Sequence, residues 1–210
     1  MKKLLVLLFS IFFLSSPSVF AKDISNFQIE GISIGDSLLD YMTEDEILEE
    51  IELNKDISIF LKEPFKYKLV FLFDNLKVYD SLGFHLKSNG ANKYITDKSK
   101  NEKYEILSIN GHIPFIEDFN GCLKERDGIA EVFSEMFPDA QNSTEIRASD
   151  ADPTGKGVLD FVFFDLDSGV RITAYCKDFD ETWRIKHNYT EGLDVSIQIK
   201  EIVEWLRNTK

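Results

Sequence analysis

Val158–Lys177, VLDFVFFDLDSGVRITAYCK, is the stretch on which the fold turns. Two runs rich in β-branched and aromatic residues flank the turn-forming cluster Asp167-Ser168-Gly169, which predicts a β-hairpin. On the second run Val170, Ile172, Ala174 and Cys176 alternate with Arg171, Thr173, Tyr175 and Lys177, so one face is apolar and the other largely polar. A connecting loop of even length puts Phe161 and Phe163 on the Ile172 and Ala174 face. The other face then carries Val162, Phe164, Leu166 and Tyr175 and needs a cover, for which an amphipathic helix is the usual element.

Working outward, the stripe Ile129, Val132, Phe133, Met136, Phe137 predicts an amphipathic helix from about Leu123 to Phe137, stopped by Pro138. Cys122 lies seven positions before Ile129 on that stripe, and Cys176 sits on the inward face of the hairpin. Both sulfurs therefore point into one core, and a Cys122–Cys176 disulfide is expected. The loop it closes, roughly 55 residues, is worth about 4 kcal/mol in the chain-entropy account.

Elsewhere the apolar alternation Phe27, Ile29 then Ile32, Ile34 shifts phase at Gly31, which predicts a strand bulged or bent at that glycine. Thr43 followed by Glu46 is a capping-box pattern and starts a helix running from about Glu44 to Ile51 or Leu53. Tyr67, Leu69, Phe71 and Phe73 form a strand that turns near Asp74-Asn75 and returns through Val78, Leu82, Phe84 and Leu86. Ser88 to Lys103 is a polar, lysine-rich loop, and Tyr104 to Ile113 another strand. Further strands fall near Thr144 to Ala148 and through Leu193, Val195 and Ile197, ahead of a final helix from about Ile199 to Leu206. The fold class is α+β, a mainly antiparallel sheet or sheets of about seven or eight strands with two or three amphipathic helices packed on them. Two similar halves, near 27–116 and 117–210, are an alternative organisation of the same domain.

The first residues bound where the protein works. Lys2 and Lys3, the apolar run Leu4 to Leu14 and Val19-Phe20-Ala21 form a secretory leader over residues 1–21, too short to span a membrane. The single α+β domain at 22–210 is expected to be exported, periplasmic or secreted, with no stable membrane insertion. The chain sets 24 Lys and Arg against 37 Asp and Glu, a formal charge of −13; without Lys2 and Lys3 the count is 22 against 37, or −15. That surface repels phosphate backbones and anionic headgroups, which excludes nucleic acid as a partner.

Three motifs touch chemistry. Gly35-Asp36-Ser37-Leu38 resembles the nucleophile block of the GDSL, or SGNH, esterases and lipases, which would make Ser37 a nucleophile activated by a histidine. The rest of that family's apparatus is missing: Arg184 stands three before His187 where an Asp is required, and Leu82 and Ile109 precede His85 and His112 at that distance. The overlapping Gly31-Ile32-Ser33-Ile34-Gly35 fits a nucleophile elbow but lacks the parallel strands that should precede it. Asp150-Ala151-Asp152-Pro153-Thr154-Gly155 resembles half of an EF-hand loop, with Phe161 where the bidentate Glu belongs, so Asp150 and Asp152 are candidate ligands of a weak Ca²⁺ site and a turn is the simpler account. The three histidines lack metal-ligand spacing.

The leader, the start Ile29-Glu30-Gly31-Ile32-Ser33-Ile34-Gly35-Asp36-Ser37-Leu38, the capped helix and the two cysteines together resemble a family of small exported bacterial proteins. That resemblance implies no activity, and it implies that Gly35 to Leu38 belongs to an N-terminal strand and turn. The expected function is a non-enzymatic binding module, without cofactor, whose sheet face or edge engages another exported protein. The alternatives are a serine hydrolase using Ser37 and a ligand-carrying or Ca²⁺-stabilised domain with an aromatic-lined cavity.

Overall fold

A computed structural model describes Ile24 and residues 27–87 and 103–209. The expected leader, and residues 88–102 of the lysine-rich stretch, lie outside the described residues. Seven strands, β1 (Tyr67–Leu72), β2 (Ser81–Lys87), β3 (Ile106–Pro114), β4 (Gln141–Ala148), β5 (Val158–Asp165), β6 (Arg171–Asp178) and β7 (Gly192–Gln198), build one sheet in the order β1-β2-β3-β7-β6-β5-β4. Every neighbouring pair is antiparallel. Four helices accompany it: α1 (Glu44–Leu53), α2 (Phe119–Met136), α3 (Glu181–His187) and α4 (Lys200–Arg207). The protein is an α+β fold with a mainly antiparallel sheet, and the β3–β7 pair carries that sheet through both of the halves that the sequence suggested.

The hairpin register corrects one expectation. Asp165 pairs with Arg171, leaving five residues in the loop, so Phe164 lies opposite Ile172 and Val162 opposite Ala174. Phe161 and Phe163 face the other way, beside Tyr175 and Thr173. The reason is a wider turn than Asp-Ser-Gly alone demands: Leu166 N–H donates to Val170 O, Gly169 N–H donates to Leu166 O, and Gly169 takes φ +84°. An odd loop reverses which residues share a face, because the strand period is two.

One face of the sheet is the core. Cys176, Ala174, Ile172, Val195, Ile197, Phe84 and Leu82 are all buried there, and α2 lies across β6 and β7. Cys122 and Cys176 are bonded, with Cα atoms 6.0 Å apart. Helix α2 begins about a turn earlier than its apolar stripe, at Phe119, because Asp118 caps it by accepting from Gly121 N–H at 2.9 Å. Phe27 from the N-terminal segment packs edge-on to Phe133, 5.7 Å between centroids, which closes the layer. Each such side chain removed from water contributes about 1.5–3 kcal/mol.

That N-terminal segment is a tight turn rather than the expected bulged strand. Ile29 and Ile32 exchange backbone hydrogen bonds across Glu30 and Gly31, which take φ +57° and +83°. Two successive positive φ values reverse the chain instead of kinking it. The turn aims Glu30 at the approach to β2, where its Oε1 accepts from Lys77, Val78 and Tyr79 N–H at 3.0, 2.6 and 3.2 Å. Val78 is accordingly held in that lead-in and not in the strand.

On the opposite face α4 covers only part of the sheet. Trp205 packs edge-on to Tyr67 and His85, at 5.1 and 5.4 Å between centroids, and its Nε1–H donates to Glu63 O at 2.8 Å. Beyond α4, among the described residues, that face is exposed along β4, while Thr173, Asp194 and Ser196 on β6 and β7 are buried.

Candidate functional site

Ser37, the sequence's candidate nucleophile, has a structural assignment for its hydroxyl. The side chain is buried; Oγ donates to Lys103 O at 2.7 Å and accepts from Leu39 N–H at 3.3 Å, capping the short 3-10 turn Leu38–Asp40. Among the described residues Ser37 makes no hydrogen bond to a histidine. Asp36 is likewise engaged, accepting from Ser33 N–H and the Tyr41 hydroxyl, both at 2.9 Å.

The two aspartates of the half EF-hand diverge. Asp150 is exposed, whereas Asp152 is buried and closes the loop, accepting from Thr154 N–H at 2.8 Å and Asp180 N–H at 3.1 Å. Burial pushes the Asp152 carboxyl up, but its hydrogen bonds to Thr154, Asp180 and Gly157 outweigh that and hold it below the ordinary range. Among the described residues no group of three or more His, Cys, Asp or Glu is placed to hold a metal ion. What Asp152 does instead is dock Asp180, the N-cap of α3, whose Oδ1 accepts from Trp183 N–H at 3.1 Å. Sequence periodicity missed α3 because it is only seven residues long; its available signals were that capping Asp and the basic last turn Arg184, Lys186, His187.

The histidines, scattered in sequence, occupy different settings. His112 Nδ1 lies 3.3 Å from Asp194 Oδ2, and the same carboxylate receives Lys177 Nζ at 2.8 Å and Asn110 Nδ2–H at 2.8 Å. Burial pushes Asp194 up, and the charge of Lys177 with the hydrogen bond and charge of His112 reverses this, leaving the carboxyl below its usual range. An imidazole oriented by a carboxylate is the arrangement of a general base, but His112 Nε2 is itself buried and, among the described residues, has no hydrogen-bond partner. His85 lies under Trp205 with Nδ1 2.7 Å from Ser108 Oγ, and burial pushes its imidazole down to about 4. His187 stacks on Trp183 at 3.8 Å, on α3.

No protein-family model, curated protein or solved structure matches this chain. Geometry is therefore the ground for a functional reading, and two features carry it.

The first is the β4 edge. All eight residues of β4 are exposed, and its backbone is bonded on one side, to β5. Among the described residues nothing pairs with its outer side, and Ile146 stands 70% exposed. The second is a trough of about 830 Å³ on the open face between β4 and α4. Its floor is a row of parallel rings, Phe163 on Phe161 at 5.2 Å and Phe161 on Tyr175 at 4.7 Å, roofed by Arg171 4.6 Å from the Phe163 centroid and Arg147 5.0 Å from that of Phe161. This aromatic surface is a consequence of the odd hairpin loop, which sets Phe161 and Phe163 beside Tyr175 where an even loop puts Val162 and Phe164.

Proposed function

We propose that the chain is a non-enzymatic binding module that takes an extended segment of another exported protein as an added strand along β4. The observation that carries this reading is the bare outer edge of an eight-residue strand at the end of an otherwise paired sheet. Unpaired backbone N–H and C=O groups in an extended ladder recruit a further strand, with side chains of alternate residues supplying selectivity. Export is supported by the Cys122–Cys176 bond, which suits an oxidising compartment, and by the leader-like first residues. Among the described residues no helix is long and apolar enough to cross a membrane.

A photo-reactive residue placed at Ile146, with a second chain carrying it at Phe73 by the opposite edge, tests the reading on the folded, oxidised protein mixed with the exported proteins of its own source. The expected result is an adduct to a defined segment at position 146, absent at 73 and abolished by Thr144→Pro. Equal labelling at both positions, or adducts indifferent to the proline, would remove the strand-addition reading.

A further inference from the structure

The trough itself holds hydroxyls that the protein does not use. Thr173 and Ser196 are each only 4% exposed, lie side by side on β6 and β7 and line the trough, yet neither side chain has a hydrogen-bond partner among the described residues. The bulk of each residue is buried while both line the trough, so the two neighbouring hydroxyls are open to it, and a ligand seated there can supply their partners. The hydroxyls of Thr, Ser and Tyr rotate and both donate and accept, which matches the hydroxyls of a saccharide.

Charge narrows the class. Arg147, Arg171, Lys177 and Arg207 line this trough on a chain whose formal charge is −13, and Glu145 is its one acidic lining residue. Arg171 is pinned by Asp165, through Nε and Nη2 at 2.7 Å each, and Lys177 by Asp194; these bonds fix the cations while leaving guanidinium and ammonium donors over. Arg147 lies 3.9 Å from Glu145 at the half-exposed rim. Along β5 the level of Arg147, opposite Leu159, and that of Arg171, opposite Asp165, are six residues apart, or ~20 Å of strand. Cations therefore stand towards both ends, with hydroxyls and rings between them.

We infer that this trough binds a short acidic oligosaccharide of the uronate type, its carboxylates held by Arg147 and Arg171 and its ring hydroxyls by Thr173 and Ser196. An acidic peptide fits less well, because its backbone N–H and C=O groups pair along a strand edge, not across a face whose own backbone is already bonded. The site is independent of the β4 edge, since a strand added there lies in the plane of the sheet and leaves Thr173 and Ser196 uncovered.

Calorimetric or NMR titration of the oxidised mature protein with trigalacturonate, neutral galactotriose and triglutamate at low salt tests it. Saturable binding of trigalacturonate is expected, at least tenfold tighter than either comparison ligand and at least tenfold weakened by Arg147→Gln and by Thr173→Val. Arg147 is half exposed, so its variant keeps the fold even if the buried threonine proves sensitive. Absence of saturable binding at millimolar trigalacturonate, equal binding of triglutamate, or indifference to Arg147→Gln would overturn the inference. Ile146→Lys is expected to leave this titration unchanged, which separates failure of this site from failure of strand addition.

Discussion

β1 and β4 end the same sheet, and they are treated oppositely. Along β1 helix α1 packs close, and Glu50 from that helix reaches over so that Oε2 accepts the outward Phe71 N–H at 3.1 Å. Asn54, the C-cap of α1, donates through Nδ2 to the same carboxylate at 3.0 Å and steadies it. Phe71 is further stacked on Phe73. β4 has neither a helix nor a side chain on its outer edge among the described residues, and no proline interrupts it. A bare edge opposite a sealed one is the contrast behind the proposed strand addition, because an open ladder invites pairing with a further strand.

The largest test of this contrast is the disulfide, which ties α2 to β6 on the open side. Reducing it, or replacing both cysteines with alanine, is expected to lower stability by about 4 kcal/mol. Hydrogen exchange should rise more in β4 to β6 than in β1 and β2; uniform loss across the sheet would show that the two sides unfold as one and that the open edge is not the weaker region.

Acid should act first on the sealed side. The unfolded His85 side chain titrates near 6.5 and the folded one at about 4, so the unfolded state binds more protons between those values. Stability supplied by neutral His85 is complete above pH 6.5 and is lost as pH falls towards 4, by up to about 3 kcal/mol. Urea unfolding at stepped pH checks this, and His85→Gln should flatten the profile in that window.

Glu50→Ala should uncover the Phe71 amide at a cost of about 1 kcal/mol. Faster exchange at that amide, with β4 unaffected, would show that the carboxylate is what seals β1; unchanged exchange would assign the sealing to α1 alone. The smallest effect belongs to Ile146→Lys on β4, expected within about 0.5 kcal/mol of the parent because the side chain touches little. The same change should abolish binding of a partner segment at that edge, so a neutral stability effect together with retained binding would break the contrast.

Much of the β4-side architecture was legible in residue types. Alternation of Ile172, Ala174 and Cys176 marked β6, the Ile129 and Phe133 stripe marked α2, and their shared direction foretold the bond between Cys122 and Cys176. The trough was legible only in part. Ser108, Asn110 and His112 on β3, Asp194, Ser196 and Gln198 on β7, and Arg171, Thr173, Tyr175 and Lys177 on β6 all show period two, which reads as a solvent-facing row in each strand taken alone. Only the pairing of the three strands stacks those rows into one polar face, and only α4 gives it a wall. Trp205, which anchors α4 to β1 and β2, is buried through contacts with Tyr67 and His85 that lie far from it in sequence.

By itself, then, the sequence determined the α+β class, most of the segments that become strands and the longer helices, and the core residues that join the cysteines, because periodicity and caps are local properties. The tertiary structure alone decided three things. The five-residue loop set which phenylalanines face the core, since one residue of register reverses every side chain. The order β1-β2-β3-β7-β6-β5-β4 chose which strands became edges, since edges depend on long-range pairing. The approach of α4 and β4 shaped the trough, since a concavity is a relation between elements that no single segment of the chain encodes.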